Sequence, residues 1–330
     1  MTTRPIGVRL VLIAVFTALA AVVGVAVGPS DAGLRELFQV LGGEGDATTR
    51  GVLLEIRLPT ALLGLLVGAA LAVSGTLLQA LLRNDLAEPY LVGVGPGAYL
   101  GVTVAALLAH HAGLVPDAWL RSAFALAFAV GVSVVIFAFA TRARRGGGPT
   151  LLLAGVALGA FVSAIATALL YGALPRWDQV VYWMLGHLSP PQTLELLLLL
   201  AVLLLASLAA FVRARDLDAV ALGEEGAWLL GVHVRRLTLG LGFAAAALAA
   251  FAVSMAGLIG FVGLLVPHLA RGLVGPGHRA LIPASALLGG GLLVLADALA
   301  RTLSPPLVLP VGVVTAALGA PFLAWILLRR

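Results

Sequence analysis

The sequence contains no cysteine and no lysine, and charged residues make up only 11% of its 330 residues. Without cysteine there is no disulfide, no thiolate nucleophile and no cysteine-ligated zinc or iron–sulfur cluster. Without lysine there is no standard Walker A loop, whose lysine binds nucleotide phosphates, and no lysine Schiff base. A soluble domain usually carries about a quarter charged residues, so the composition excludes a water-soluble globular enzyme.

Hydrophobic residues make up 61% of the chain and occur in continuous apolar runs near the length that crosses a bilayer. Alternating short segments, the pattern of a transmembrane barrel, are absent from these runs. We therefore predict an all-α polytopic membrane protein that forms a single transmembrane domain over 1–330. The ten predicted spans are 10–28, 59–82, 91–109, 121–141, 150–171, 192–212, 237–256, 258–274, 280–299 and 309–328.

The first span has a signal peptide as its alternative, because Arg4 and Arg9 precede the apolar stretch. Its apolar core, 10–27, is longer than a typical signal-peptide core, which favours a retained span. An even number of spans places both termini on one side. With the termini in the cytoplasm, 14 of the 20 arginines are cytoplasmic, as the positive-inside rule requires. We predict this orientation in a bacterial or archaeal cytoplasmic membrane.

Two segments between spans differ from ordinary linkers. The cytoplasmic segment 213–236 alternates apolar and polar residues, with helix stops at Gly223 and Gly231, and this pattern predicts two short surface helices. Its length suggests a docking surface, although a helix that merely lies on lipid is equally compatible with the pattern. The external segment 29–56 carries acidic residues and is expected to hold a short amphipathic helix at about 34–41.

Several motifs in fixed order resemble the FecCD/BtuC-like permease subunits of ABC importers for iron chelates, haem and cobalamin. The resemblance covers about Arg57 to the C-terminus. The motifs are 57–59 (RLP), 68–75 (GAALAVSG), 84–89 (NDLAEP), 151–159 (LLLAGVALG), 182–186 (YWMLG), 221–225 (ALGEE), 257–264 (GLIGFVGL), 267–271 (PHLAR), 309–315 (LPVGVVT) and 319–321 (GAP). The chain departs from the family at Asp85, where proline is usual, at Thr60, where a second arginine is frequent, and at Val308, where glutamate is frequent.

The resemblance implies the type II ABC importer permease fold and a non-catalytic transport subunit. Its expected partners are a second permease copy in a homodimer, a separate ATPase subunit and an external solute-binding protein. ATP and Mg²⁺ would bind to the ATPase, and no cofactor is expected on this chain. The expected cargo is a metal chelate, with ferric siderophore ahead of cobalamin and haem. Nucleic acid is not an expected partner, because the arginines are scattered among loops.

The resemblance also assigns roles to particular residues. The ATPase-coupling element is expected at Ala221, Leu222, Gly223, Glu224 and Glu225. Arg57 and Arg301 are expected to dock the binding protein. Each has a structural alternative: Arg57 as an interfacial arginine, and Arg301 as the partner of Asp297 one helical turn away. The inner gate and pathway are expected to involve four residues: Asn84, Leu86, Gly148 and Pro149.

The histidines do not predict a metal site. His110 and His111 are adjacent on a predicted helix and therefore do not share a face. Two rival functions remain at this stage. An intramembrane enzyme would need paired acids or a Ser–His pair at membrane depth, and the spans offer neither convincingly. An ion-coupled secondary transporter would work without an ATPase.

Overall fold

A computed structural model describes residues 5–29, 33–114, 117–142, 148–173, 178–304 and 307–329. The described residues form helices and no strand. The ten longer helices of this part of the chain are α1 (Ile6–Ala26), α4 (Leu58–Leu82), α5 (Val94–His111), α6 (Ala118–Arg142), α7 (Gly148–Ala173), α9 (Thr193–Val212), α12 (Val234–Ala256), α13 (Val262–Val274), α14 (His278–Thr302) and α15 (Val311–Arg329). The described residues also form five short α-helices, α2 (Leu34–Leu41), α3 (Ala47–Gly51), α8 (Asp178–Met184), α10 (Ala214–Val220) and α11 (Glu224–Leu229), a π-helical turn (Val52–Arg57) and a 3-10 helix (Pro89–Val92). The predicted all-α polytopic fold is confirmed.

The start of the second span differs from the prediction. The helix does not begin at residue 59 after an irregular loop, because α3 continues through a π-helical turn, Val52–Arg57, directly into α4. Together these elements form one apolar helix from Ala47 to Leu82. Pro59 has no N–H to donate to an upstream carbonyl, so the sequence alone predicts that a helix begins there. A wider π-helical turn just before the proline lets the helix continue past it.

The eighth span also differs, because it is only half a span. The helix α13 begins at Val262 rather than at 258 and has 13 residues, which corresponds to about 20 Å of length. A full crossing needs about 30 Å. The segment 257–261, between α12 and α13, is not helical and lies inside the bundle, where protein groups must satisfy its backbone.

The helix α4 lies at the centre of the bundle, packed against α12, α13 and α14, and most of its residues are buried. Small residues make these contacts close. A Cβ added at Gly68 would collide with the backbone of Gly289, and one at Gly75 would collide with the backbone of Gly263. On α5, a Cβ at Gly97 would lie 2.6 Å from the carbonyl oxygen of Phe128. These glycines therefore allow close helix packing, as expected for helices in lipid.

Gly75→Leu is expected to destabilise the bundle by about 3 kcal/mol or more, because the new side chain meets backbone that cannot rotate away. The control is Gly131→Leu on α6, where a Cβ would have nothing within 4 Å. The measurement is the melting temperature in detergent together with the yield of monodisperse protein. Equal melting temperatures for the two variants would contradict this packing.

Candidate functional site: the coupling face and the inner gate

Three connecting segments meet at one end of the bundle, which we call the coupling face: the α4–α5 loop, the helices α10 and α11, and the α13–α14 turn. Arg271 of α13 pairs with Asp85 of the α4–α5 loop at 3.5 Å. The start of α1 lies at the same end, because Arg9 donates a hydrogen bond to the carbonyl of Leu273 at 2.7 Å. The helix α14 runs from this end to the opposite one and α15 runs back, so the start of α1 and the end of α15 lie at the coupling face.

The two short helices predicted between the sixth and seventh spans are present as α10 and α11. Gly223 separates them with a φ of +95°, a backbone conformation that favours glycine over any residue with a Cβ. Its carbonyl accepts the first hydrogen bond of α11, from the N–H of Ala227. Glu224 and Glu225 then occupy the first turn, where negative charge complements the helix dipole.

The helix α11 and the turn before it expose large apolar residues, of which only Leu222 belongs to the coupling element predicted from the sequence. Trp228, Leu229 and Leu230 are 70%, 78% and 63% exposed, and Leu222 beside the turn is 68% exposed. Large apolar side chains grouped at such exposure mark a surface that contacts protein or lipid. Their signal in the sequence is the apolar run 227–230, which follows the two glutamates and Gly226.

The helix α10 is attached to the bundle through Asp218. Its carboxylate accepts from the backbone N–H of His278 at 3.0 Å and contacts the imidazole Nδ1 of the same residue at 2.6 Å. His278 is the first residue of α14, so this contact links α10 directly to that helix. A second link, between Arg83 and Glu224, is 3.9 Å long and solvent-exposed, and it is correspondingly weak.

The predicted gate residues of the α4–α5 loop lie at the coupling face. The side-chain oxygen of Asn84 accepts from the N–H of Leu86 at 3.0 Å and fixes the turn, and the Leu86 side chain is 38% exposed. Gly148 and Pro149 begin α7, and their side chains lie outside the described part of the structure. The two regions are joined further along α7, where Gly155 lies directly against the carbonyl of Leu91. The gate role of these residues stays a prediction.

The rest of this loop supports the broken segment before α13. The N–H of Phe261 donates to Oε1 of Glu88 at 2.9 Å, and the N–H of Ile259 donates to the hydroxyl of Tyr90 at 2.7 Å. Burial raises the pKa of the Glu88 carboxyl, and the hydrogen bond from Phe261 opposes this effect. Gln79 of α4 donates to the carbonyl of Leu264 at 3.2 Å. The α4–α5 loop and the α12–α13 break therefore form one hydrogen-bonded unit.

Glu88→Ala is expected to cost about 1–3 kcal/mol, because it leaves the N–H of Phe261 without an acceptor inside the bundle. Glu88→Gln retains a carbonyl oxygen at the same position and is expected to cost less than about 1 kcal/mol. Melting temperatures of the two variants in detergent, compared with the unsubstituted chain, measure the difference. An equal loss in both variants would show that the charge, not the acceptor, matters.

The two arginines predicted to dock the binding protein lie together at the opposite end. Arg57 is 3% exposed, and its guanidinium donates to the carbonyls of Val25 and Ala26. Arg301 pairs with Asp297 at 3.0 Å and donates to the carbonyl of Gly24 at 2.8 Å. The pairing of Arg301 with Asp297 is confirmed. Both guanidiniums contact carbonyls at the end of α1, and docking by either arginine stays a prediction.

Within the described residues, no group of three or more histidine, aspartate or glutamate side chains is placed to hold a metal ion. His110 and His111 at the end of α5 have ring centroids 5.8 Å apart and nearly perpendicular planes.

Comparison with known proteins agrees with this architecture. The sequence profile of the FecCD transport family matches residues 12–329. The hemin transport system permease protein HmuU of Yersinia pestis is 41% identical over 280 residues, covering 84% of this chain and 83% of that protein. The cobalamin import system permease protein BtuC of Halobacterium salinarum is 36% identical over 354 residues, covering 99% of this chain and 90% of that protein.

A solved structure, described as an inward-facing conformation of a metal-chelate type ABC transporter, superposes with a TM-score of 0.84 and 28% identity. The superposition covers 99% of this chain and all of that one. The match by sequence and the match by structure both extend over nearly the whole chain. This multi-pass membrane protein belongs to the FecCD transport family.

Proposed function

We propose that the chain is the transmembrane permease subunit of a binding-protein-dependent ABC importer that carries a metal chelate into the cytoplasm. The observation that carries the proposal is the family match over residues 12–329, which includes the paired helices exposed at the coupling face. The absence of lysine fits this role, because nucleotide binding and hydrolysis fall to a separate ATPase subunit with ATP and Mg²⁺. Two permease copies would enclose one pathway.

The coupling mechanism follows from the attachments of α10 and α11. The ATPase would hold Ala221–Glu225 and the exposed apolar residues of α11. When the ATPase closes, its displacement of α10 would pass through Asp218 to His278 and thus to α14, which packs along α4. The α4 helix ends in the gate loop, whose Glu88 and Tyr90 hold the α12–α13 break. This chain of contacts connects ATPase closure to both the gate loop and the broken helix.

The orientation we propose places the coupling face and both termini in the cytoplasm. The majority of the arginines then lie on the cytoplasmic side. Cysteine accessibility tests this orientation directly, because the chain has no natural cysteine. A single cysteine placed at Leu222 should react with a membrane-impermeant thiol reagent only after the membrane is opened. Labelling in intact cells would contradict the proposed orientation.

Reconstitution tests the transport function. The permease is placed in proteoliposomes with its candidate ATPase, and uptake of radiolabelled haem, cobalamin or a ferric siderophore is measured with the cognate binding protein. We expect uptake of one chelate that requires ATP inside the compartment corresponding to the cytoplasm, together with binding of the same chelate by the isolated binding protein. Uptake driven by an ion gradient without ATPase would overturn the proposal.

A further inference from the structure

A groove of about 530 Å³ lies between the end of α9 and the first turns of α12, at the coupling face. Its wall is mostly apolar and includes Val212 and Leu241. At Gly240 the absence of a side chain leaves the wall open, since a Cβ there would have nothing within 4 Å. Neither the gate loop nor the coupling helix α11 contributes to the wall, so the groove is a separate site.

The polar rim of this groove is formed by two arginines, Arg213 and Arg236, together with Asp216 and His233. The guanidinium of Arg213 donates to the carboxylate of Asp216 at 3.0 Å, so these two charges compensate each other. Arg236, on the α12 side, makes no hydrogen bond or ion pair with any residue in the part of the chain that the structure describes. One uncompensated positive charge therefore stands above an apolar wall.

The groove continues into the lipid-facing surface of α9. Leu205, Leu208 and Val212 follow one another at helical spacing and are 68%, 60% and 69% exposed. This apolar stripe descends from the rim into the membrane. An occupant must therefore combine an anionic group at the rim with a long apolar chain below it. A soluble anion would leave most of the wall without a partner.

We propose that this groove binds an anionic phospholipid, with its phosphate against Arg236 and one acyl chain along the α9 stripe. Basic pockets between transmembrane helices at a membrane surface suit this chemistry. The groove is bounded by Asp216 of α10 and by Val232 after α11, so the lipid would pack beside α10 and beside the segment that follows α11. Occupancy would hold the coupling element against α9 and α12.

Native mass spectrometry of the delipidated full chain in neutral detergent tests the proposal, with dioleoylphosphatidylglycerol and dioleoylphosphatidylcholine offered at equal concentration. We expect the chain to retain the anionic lipid about fivefold better than the neutral one. Arg236→Gln should remove most of this preference, because it deletes the uncompensated charge. Gly240→Phe should lower retention of both lipids, because its ring would occupy the groove, where an added Cβ meets no atom within 4 Å.

The matched controls are Arg279→Gln and Gly272→Phe. Both positions are exposed at the coupling face and lie outside the groove, and a Cβ at Gly272 has nothing within 4 Å. These variants should retain the anionic lipid as the unsubstituted chain does. Three results would overturn the proposal: equal retention of the two lipids by the unsubstituted chain, unchanged retention in both groove variants, or displacement of phosphatidylglycerol by an equal concentration of inorganic phosphate.

Discussion

Trp228→Glu is expected to weaken binding of the ATPase subunit strongly while leaving the permease folded. The indole is 70% exposed and contributes little to the helix bundle, so its replacement leaves the core intact. At an interface, an aromatic residue surrounded by exposed leucines has the character of a binding hot spot, which contributes about 2 kcal/mol or more. That loss corresponds to about thirtyfold or more in the dissociation constant. A buried glutamate would add a desolvation cost.

Co-purification of the candidate ATPase with the permease, followed by titration in detergent, measures this effect. The matched control is Trp119→Glu at the opposite end of the bundle, where the indole is 40% exposed. It introduces the same substitution far from the coupling face and should leave ATPase affinity unchanged. If Trp228→Glu binds the ATPase normally, α11 lies on lipid rather than on a partner, which is the alternative that the sequence pattern left open.

Local signals in the sequence predicted three of the five short α-helices, α2, α10 and α11. The sequence predicts that helices end at Gly223 and Gly231, and both glycines adopt a positive φ, of +95° and +80°. The amphipathic pattern at 34–41 corresponds to α2, whose first turn is fixed by a hydrogen bond from the N–H of Gly33 to Glu36. Turn glycines and short amphipathic stretches encode their structure within a few residues, so a single sequence suffices for them.

Structural features that depend on residues far apart in the chain could not be predicted from such local signals. The run 257–264 is apolar whether it is helical or extended, and its break is stabilised by Glu88 and Tyr90, about 170 positions earlier in the chain. Arg57 precedes an apolar run and therefore resembles an interfacial arginine. Its burial is evident only once the end of α1 is placed against it. In both cases the local structure depends on hydrogen-bond partners from a distant part of the chain.

The buried arginines at the end opposite the coupling face lead to the second large effect. Asp297→Ala is expected to destabilise the chain by about 3–5 kcal/mol, because Arg301 would keep a buried charge without its counterion. The carbonyls of Gly24, Val25 and Ala26 would still accept from the two guanidiniums, but a carbonyl dipole does not neutralise a full charge. Repulsion between the two arginines would add to the cost.

Asp216→Ala is the matched control, since it removes the carboxylate of a 3.0 Å ion pair that lies at the surface. It should cost less than about 1 kcal/mol. Melting temperatures in detergent rank the two variants, and similar losses would show that the Asp297 pair is not effectively buried.

Arg57→Gln separates the structural role of Arg57 from its predicted role in docking the binding protein. A lower melting temperature with unchanged affinity for the binding protein indicates that Arg57 holds α1 in place. Weaker binding at an unchanged melting temperature indicates docking.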